Sequence, residues 1–151
     1  MLKQRPAGDK SWPIACSGTT LGDESTWIDL SGAHLSYGDF KDATFIGQAI
    51  KLNGAGLAHA DLSGSKLTAD GGFGHGFIDF SEADLANADL SGSELTAITT
   101  GSYGASTIDF TEADLTNADL SGSRLTAEAI HSGDSTIDFT EATLDQADMS
   151  G

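Results

Sequence analysis

The sequence predicts an all-β fold, a quadrilateral parallel β-helix in which the chain turns a corner every five residues and stacks on itself. Leu or Phe recurs at every fifth position through long stretches, for example at Leu85, Leu90 and Leu95. A five-residue period matches neither the alternation of a strand nor the periodicity of a helix. The five-residue units also gather into groups of four, which predicts a coil with four sides.

Five blocks of the chain align with one another, at residues 28–47, 50–69, 78–97, 108–127 and 137–151. Each column of this alignment keeps one size class of side chain. The clearest column is isoleucine, at Ile28, Ile50, Ile78, Ile108 and Ile137. Stacked coils require such columns, because each inward side chain lies on its counterpart about 4.8 Å away. The alignment therefore predicts four full coils and a partial fifth.

Three stretches carry a shared motif: ADLSG at residues 60–64, ADLANADLSG at 83–92 and ADLTNADLSG at 113–122. These runs resemble the A(D/N)LXX signature of pentapeptide-repeat proteins, and the resemblance covers about residues 28–151. It implies a right-handed quadrilateral β-helix in which the central Leu or Phe and the small residue two places before it point inward. Because that solenoid serves several roles, the resemblance is informative about fold and much less so about function.

The two ends of the chain depart from the repeat. Residues 1–27 lack the five-residue period, and we expect them to form an N-terminal cap in which Trp12 or Trp27 covers the first coil of a solenoid spanning residues 28–151. At the other end, no cap is visible around Met149. Either a longer protein continues past Gly151, or this end pairs with a second copy; end-to-end homodimers are known in the family that the chain resembles.

Inserts separate the aligned blocks, at residues 48–49, 70–77, 98–107 and 128–136. All of them fall after the fourth side, so we expect loops that project from one corner and form one edge. Their candidate contact residues are Phe73, His75, Phe77, Tyr103 and His131. Two interpretations remain open: the loops relieve strain at the corner while their aromatic side chains pack locally, or they contact a partner.

Negative charge is concentrated in the second half of the chain. The formal net charge is −16, and residues 78–151 contain 15 acids against Arg124 alone. This charge disfavours direct binding to nucleic acid or to anionic membranes. It favours a protein partner with a basic or DNA-binding surface, although solubility of an extended surface would explain it equally well.

Several acids recur at equivalent outward positions of successive coils. We name this set the acidic face: Asp79, Glu82, Asp89, Asp109, Glu112, Asp119, Asp138, Glu141 and Asp148. Three explanations are open. The aspartates accept hydrogen bonds from backbone N–H groups at the corners, they present charge to a basic partner, or they bind a cation such as Ca²⁺. We predict that the acidic face binds a partner and that the protein needs no metal.

No pattern of a catalytic centre occurs, whether a zinc-protease motif, a paired-cysteine motif, a nucleophile elbow or a phosphate-binding loop. We expect neither catalysis nor a cofactor. The single Cys16, the lack of a signal peptide and the lack of a membrane-spanning stretch favour a cytoplasmic protein. The predicted function is a rigid acidic adaptor module. The alternative, implied by the resemblance for some members, is a DNA mimic that binds gyrase and protects or inhibits it.

Overall fold

Ten short strands form two parallel sheets in the computed structural model, which describes residues 14–151. In chain order they are β1 (Thr20–Gly22), β2 (Trp27–Asp29), β3 (Thr44–Gly47), β4 (Ala49–Lys51), β5 (Lys66–Asp70), β6 (Gly76–Asp79), β7 (Glu94–Thr99), β8 (Ser106–Asp109), β9 (Arg124–Ala129) and β10 (Ser135–Asp138). The odd-numbered strands form one sheet and the even-numbered strands the other. The described residues contain no helix.

The two sheets are the fourth and first sides of a four-sided coil. The second and third sides form no extended strands, and single parallel bridges such as Asp84–Asp114 and Asp89–Asp119 join their successive coils. In the first-side sheet, Ile78 pairs with Ile50 on one neighbour and with Ile108 on the other, as the column alignment requires. The predicted β-solenoid with a five-residue side is therefore confirmed.

Each of the first three corners of a coil is a tight turn that links a central Leu or Phe to the next small residue. The backbone oxygen of Phe80, for example, accepts a hydrogen bond from the N–H of Ala83 at 3.0 Å. The third residue of this turn, Glu82, has a φ of 57°. Turns of this kind need a positive φ at that position. The small side chain of Ala83 then fits the crowded inner corner, where it is 1 % exposed.

The interior consists of ladders in which like side chains stack from coil to coil. Phe80 and Phe110 lie with ring centroids 4.9 Å apart, and Phe110 and Phe139 follow at 4.8 Å, both pairs within 1° of parallel. These distances are the rise of one coil. Burying a side chain of this size stabilises the fold by roughly 2 kcal/mol. The interior ladders are therefore the main source of the stability of the fold.

The strand ladder begins before residue 28. β1 pairs with β3 and places Leu21 beside Phe45, and the N–H of Cys16 donates to the backbone oxygen of Asp39 at 2.7 Å. Trp12 lies outside the described residues. Trp27 does not cover the first coil, because in β2 it alternates with the inward Ile28 and therefore points outward, with 59 % of its surface exposed.

Three loops, at residues 71–75, 100–105 and 130–134, connect the fourth side to the first side at one corner, as predicted. They stack on one another as the coils do. The N–H of Thr100 donates to the backbone oxygen of Gly72 at 2.9 Å. A Cβ built at Gly104 would lie 1.8 Å from the backbone oxygen of Gly74. The loops therefore form a continuous wall of closely packed backbone.

Candidate functional site

The aspartates of the acidic face all take part in corner turns. In each case Oδ1 accepts a hydrogen bond from the backbone N–H two residues later, at 2.8–3.0 Å. The donor residues for Asp79, Asp89, Asp109, Asp119, Asp138 and Asp148 are Ser81, Ser91, Thr111, Ser121, Thr140 and Ser150. This is the first of the three explanations for the aspartate columns, and it gives these residues a role in folding.

At three aspartates that cap such turns, the turn bonds favour the charged carboxylate. The Thr140 hydroxyl and, secondly, the Thr140 backbone N–H lower the pKa of Asp138 from its ordinary value of 3.8. The pKa of Asp148 is lowered chiefly by the backbone N–H of Ser150. Asp114, on the second side, has its pKa lowered by Thr116 in the same way. Each of these carboxylates is therefore more firmly ionised than an isolated aspartate.

A structural role does not prevent the aspartates from meeting a partner. The turn bonds use Oδ1, so Oδ2 is the oxygen of each carboxylate that a partner would contact. Successive carboxylates sit one coil apart, and the turn fixes their orientation. The first and third sides thus present rigid rows of negative charge.

The glutamates of the acidic face occupy a different position, the third residue of the first corner turn. Glu82, Glu112 and Glu141 have φ values of 57°, 58° and 58°, in the left-handed region that favours glycine. In the two preceding coils the same corner is formed by Gly32 and Gly54, both with positive φ. These three glutamates, which we call the glutamate column, are therefore strained and charged residues at a corner that the earlier coils form with unstrained, neutral glycine.

Among the described residues, ion pairs occur on the fourth side. Lys66 Nζ lies 3.3 Å from Glu94, and Arg124 lies 3.9 Å from the same carboxylate. Both pairs are exposed, so they contribute little to stability. They reduce the net negative charge of the fourth side, whereas the acidic face lies on the first side, the corner that follows it and the third side.

The predicted loop residues have different environments. Phe73 and Tyr103 are 94 % and 90 % exposed at the corner edge. His75 accepts a hydrogen bond at Nδ1 from the backbone N–H of Ala105, at 2.9 Å, so it ties one loop to the next. His131 is exposed in the last loop. The wall of loops therefore displays aromatic rings on a fixed backbone.

Phe77 does not lie in a loop, because strand β6 begins at Gly76. Its ring packs edge-on against Trp27 at 6.1 Å. Lys51 Nζ lies 5.1 Å from the centroid of Trp27 and 5.8 Å from that of Phe77. Sequence reasoning did not single out Trp27 and Lys51 as site residues. The column alignment could have revealed this contact. Trp27, Ala49 and Phe77 occupy the same outward column in three successive coils, and the small Ala49 lies between the two aromatic residues.

The histidines of the second side are dispersed. His34 pairs with Gly56, while His59 sits at the next corner with a φ of 58° and stacks on Tyr37 at 4.8 Å. Within residues 14–151, no group of three His, Cys, Asp or Glu side chains has the arrangement needed to hold a metal ion. The same part of the chain has no helix with the length and apolar character needed to cross a membrane.

A family model for pentapeptide repeats matches residues 78–97 and 106–126 in eight copies, and the five-residue sides of the structure continue the pattern on both flanks of that match. The chain contains the repeats of the pentapeptide-repeat family at these residues. The matched copies coincide with the coils that carry Glu82, Asp89, Glu112 and Asp119 of the acidic face. The parallel pairing of successive coils establishes the solenoid, and proteins with such repeats are in general structural or interaction modules.

Solved pentapeptide-repeat proteins resemble this one only weakly in sequence. One from the thylakoid lumen of Arabidopsis thaliana is 25% identical, with 84% of this chain and 69% of that chain covered and a TM-score of 0.28. HetL of the cyanobacterium Nostoc, a protein involved in heterocyst differentiation regulation, is 22% identical over 89% and 74% of the two chains, with a TM-score of 0.18. The plasmid-mediated fluoroquinolone resistance protein QnrB1 is 17% identical over 91% and 83%, with a TM-score of 0.20. No curated protein sequence matches the chain.

Proposed function

We propose that this pentapeptide-repeat protein is a non-catalytic interaction module whose acidic face docks on a basic surface of a protein partner. The observation that carries the proposal is the glutamate column of Glu82, Glu112 and Glu141. Three stacked residues of like charge hold a strained backbone conformation at a corner where glycine serves in other coils.

The cost of that column has two parts. A non-glycine residue in the left-handed region is disfavoured by about 1–2 kcal/mol. Like charges one coil apart, at a rise of 4.8–4.9 Å, also repel one another. The corner turn itself uses only the backbone of Glu82, whose N–H donates to the backbone oxygen of Thr111. Folding therefore requires no glutamate here. Asn87, Asn117 and Gln146 have the same positive φ at the next corner, so the feature that distinguishes the glutamate column is its stacked negative charge.

The aspartates strengthen the surface in another way. Because their turns hold them in place, little side-chain entropy is lost when a partner binds them. A rigid field of one sign also raises the rate at which an oppositely charged protein associates. Both effects act on a partner with exposed Lys or Arg and require no bound metal or cofactor.

The experiment is an affinity purification with two matched variants. One replaces Glu82, Glu112 and Glu141 with glycine, which removes three charges and relieves strain at three corners. The control replaces Asn87, Asn117 and Gln146 with glycine, because these residues also have positive φ but carry no charge. Proteins retained by the wild type and the control but lost by the glutamate variant would be the partners. If all three baits retain the same proteins, the proposal fails.

DNA mimicry is the second candidate, and charge density favours it. Residues 78–97 carry five acids, at Asp79, Glu82, Asp84, Asp89 and Glu94. One coil rises by about 4.8 Å, so this region has roughly one negative charge per ångström of axis, against roughly one per 1.7 Å in duplex DNA. A protein that binds DNA, such as a type II topoisomerase, would therefore meet a comparable field. The described coils number about four, which gives a rod much shorter than most duplex binding sites.

A gyrase supercoiling assay separates the two candidates. Inhibition of the enzyme, or its protection from a quinolone, that weakens as salt is raised would support DNA mimicry. The glutamate variant should lose this effect and the amide variant should keep it. No effect at micromolar protein would exclude gyrase and leave the adaptor function.

Self-association through the last coil is a further partner proposal. Ile137, Leu144 and Met149 are 41 %, 41 % and 50 % exposed, whereas Ile108, Leu115 and Leu120 one coil earlier are almost fully buried. A second copy placed end to end would cover them. Sedimentation of the wild type and of a Leu144→Lys variant tests this, and a wild type that is monomeric at tens of micromolar would refute it.

A further inference from the structure

An open groove of about 330 Å³ lies on the first side, next to the wall of loops. Its lining residues are His75, Phe77, Asp79, Ala105, Thr107 and Asp109. The groove exists because the outward column changes size: Phe77 pairs with the much smaller Thr107 on the next strand. The missing volume opens beside the Phe77 ring, and Ala105 extends the floor toward the loops.

Two carboxylates border this groove. Asp79 and Asp109 are register partners on adjacent strands, which places them about 4.8 Å apart. Their Oδ1 atoms accept hydrogen bonds from Ser81 and Thr111. The groove therefore combines an aromatic wall with two carboxylates of fixed orientation. This combination recognises an organic cation, because the ring attracts it through its face and the carboxylates bind its N–H groups.

The chain itself shows how a cation fits here. One coil away, Lys51 occupies the column of Asp79 and Asp109, and its ammonium lies 5.8 Å from the Phe77 centroid while also facing Trp27. On the side of Phe77 that faces Lys51, the protein itself supplies the cation. On the opposite side, the corresponding column positions hold Asp109 and, one coil further, Asp138, both negative. The cation that would complete the pattern there must come from another molecule.

We propose that this groove binds an arginine side chain of the partner protein, an inference that rests on the proposed docking of a basic surface. Arginine fits better than lysine for a geometric reason. A planar guanidinium lies flat on an aromatic ring while its several N–H groups reach two carboxylates at once, whereas an ammonium is a compact charge that stays strongly hydrated. Phe73 and Tyr103, both highly exposed, lie on the loops that also carry the groove residues His75 and Ala105.

The test uses short blocked peptides as probes and ¹⁵N-labelled protein. Three peptides share the sequence Gly-Xaa-Gly-Xaa-Gly, where Xaa is arginine, lysine or citrulline. Citrulline keeps the shape of arginine and removes its charge. We expect amide signals of Phe77, Asp79, Thr107 and Asp109 to shift on titration, with the arginine peptide binding at least about threefold more tightly than the lysine peptide and the citrulline peptide not binding.

Three variants locate the interaction. Phe77→Leu keeps an apolar side chain without the aromatic face, and Asp109→Asn keeps an acceptor for the Thr111 turn without the charge. Asp114→Asn is the matched control, because Asp114 caps an identical turn with Thr116 on the second side, outside the groove. We expect the first two to weaken arginine-peptide binding by about three- to tenfold and the third to leave it within twofold.

The outcomes separate this inference from the broader function. Equal losses for Asp109→Asn and Asp114→Asn, or equal affinity for arginine and lysine, would overturn the groove and leave general docking by the acidic face intact. Absence of any arginine-peptide binding would also overturn the groove. Failure of the broader function is detected elsewhere, by affinity purification in which the glutamate variant retains the same proteins as the wild type.

Discussion

The Oδ1 atom of Asp89 accepts two hydrogen bonds from Ser91, one from the backbone N–H at 2.9 Å and one from the hydroxyl at 2.6 Å. Asp61 and Ser63 repeat this contact one coil earlier. The pair fixes the third corner of the coil and holds the carboxylate in a single orientation. One residue thus supports both the fold and the charge of the surface.

This relationship predicts a difference between two substitutions at Asp89. Alanine removes the acceptor and leaves the Ser91 N–H without its partner, so Asp89→Ala should lower the free energy of unfolding by about 1–3 kcal/mol. Asn keeps an oxygen in the same place, so Asp89→Asn should cost less than about 1 kcal/mol. Urea unfolding of both variants measures the difference. Equal losses would show that charge, and not the turn bond, makes Asp89 important for stability.

The same turns predict how stability depends on pH. The pKa values of Asp114, Asp138 and Asp148 are lowered in the folded chain from an ordinary value of 3.8. As pH falls below about 4, the unfolded chain therefore takes up protons first, and the stability contributed by these groups is lost as pH passes through their folded pKa values. Urea midpoints at pH 7, 5, 4 and 3 should be similar down to pH 5 and then fall.

Replacing all three aspartates with asparagine should flatten that fall. If stability instead rises between pH 5 and pH 3, relief of repulsion among the many acids outweighs the turn bonds. That result would contradict the assignment of these carboxylates as stabilising acceptors.

The core ladder predicts a severe effect at Leu90, which is 1 % exposed. Leu90→Asp places a charge in an apolar stack, where no solvent or partner compensates it, and we expect the cooperative unfolding transition to disappear. Leu90→Ala should keep the fold and lose about 2–5 kcal/mol. Asn87→Asp is the control, since it adds the same charge at an exposed corner. A normal thermal transition for Leu90→Asp would show that this column does not face inward.

The wall of loops predicts a contrast between two glycines of one column. At Gly104 a Cβ would lie 1.8 Å from the Gly74 oxygen, whereas at Gly74 the nearest atom is the Gly71 oxygen at 3.4 Å. Gly104→Ala should therefore lower stability by about 1–3 kcal/mol and speed amide exchange in residues 100–105. Gly74→Ala should leave both nearly unchanged. Similar exchange in the two variants would mean that the loops move independently of one another.

Much of the fold could be predicted because the repeat is a physical constraint as well as a pattern. Each inward position, such as Ile78 or Phe80, must match the residue above and below it, so the aligned columns specify the register of the strands. The ladder at Cys16 and Leu21 was not predicted, because its two positions keep the five-residue spacing without the Ala-Asp-Leu motif. The turn at residues 23–26 then interrupts the period.

The site was less predictable because one residue type serves two purposes. Aspartate at a corner is expected both for a turn and for a charged surface, so the columns alone could not distinguish them. The structure shows the turn bond at Asp89 and its equivalents, and at Glu112 it shows a hydrogen bond from the backbone N–H. The groove beside Phe77 depends on the registry of Phe77, Thr107 and Lys51 across three coils. No single stretch of sequence displays that relationship.

We propose that the charge of the glutamate column, and not its backbone, binds the partner. The most direct measurement is the affinity of one purified partner for three proteins at low and moderate salt: the wild type, the variant with glycine at Glu82, Glu112 and Glu141, and the variant with glycine at Asn87, Asn117 and Gln146. We expect the glutamate variant to bind about tenfold more weakly at low salt, with a smaller difference at higher salt and no change for the amide variant. Equal affinity of all three proteins for the partner would contradict the account.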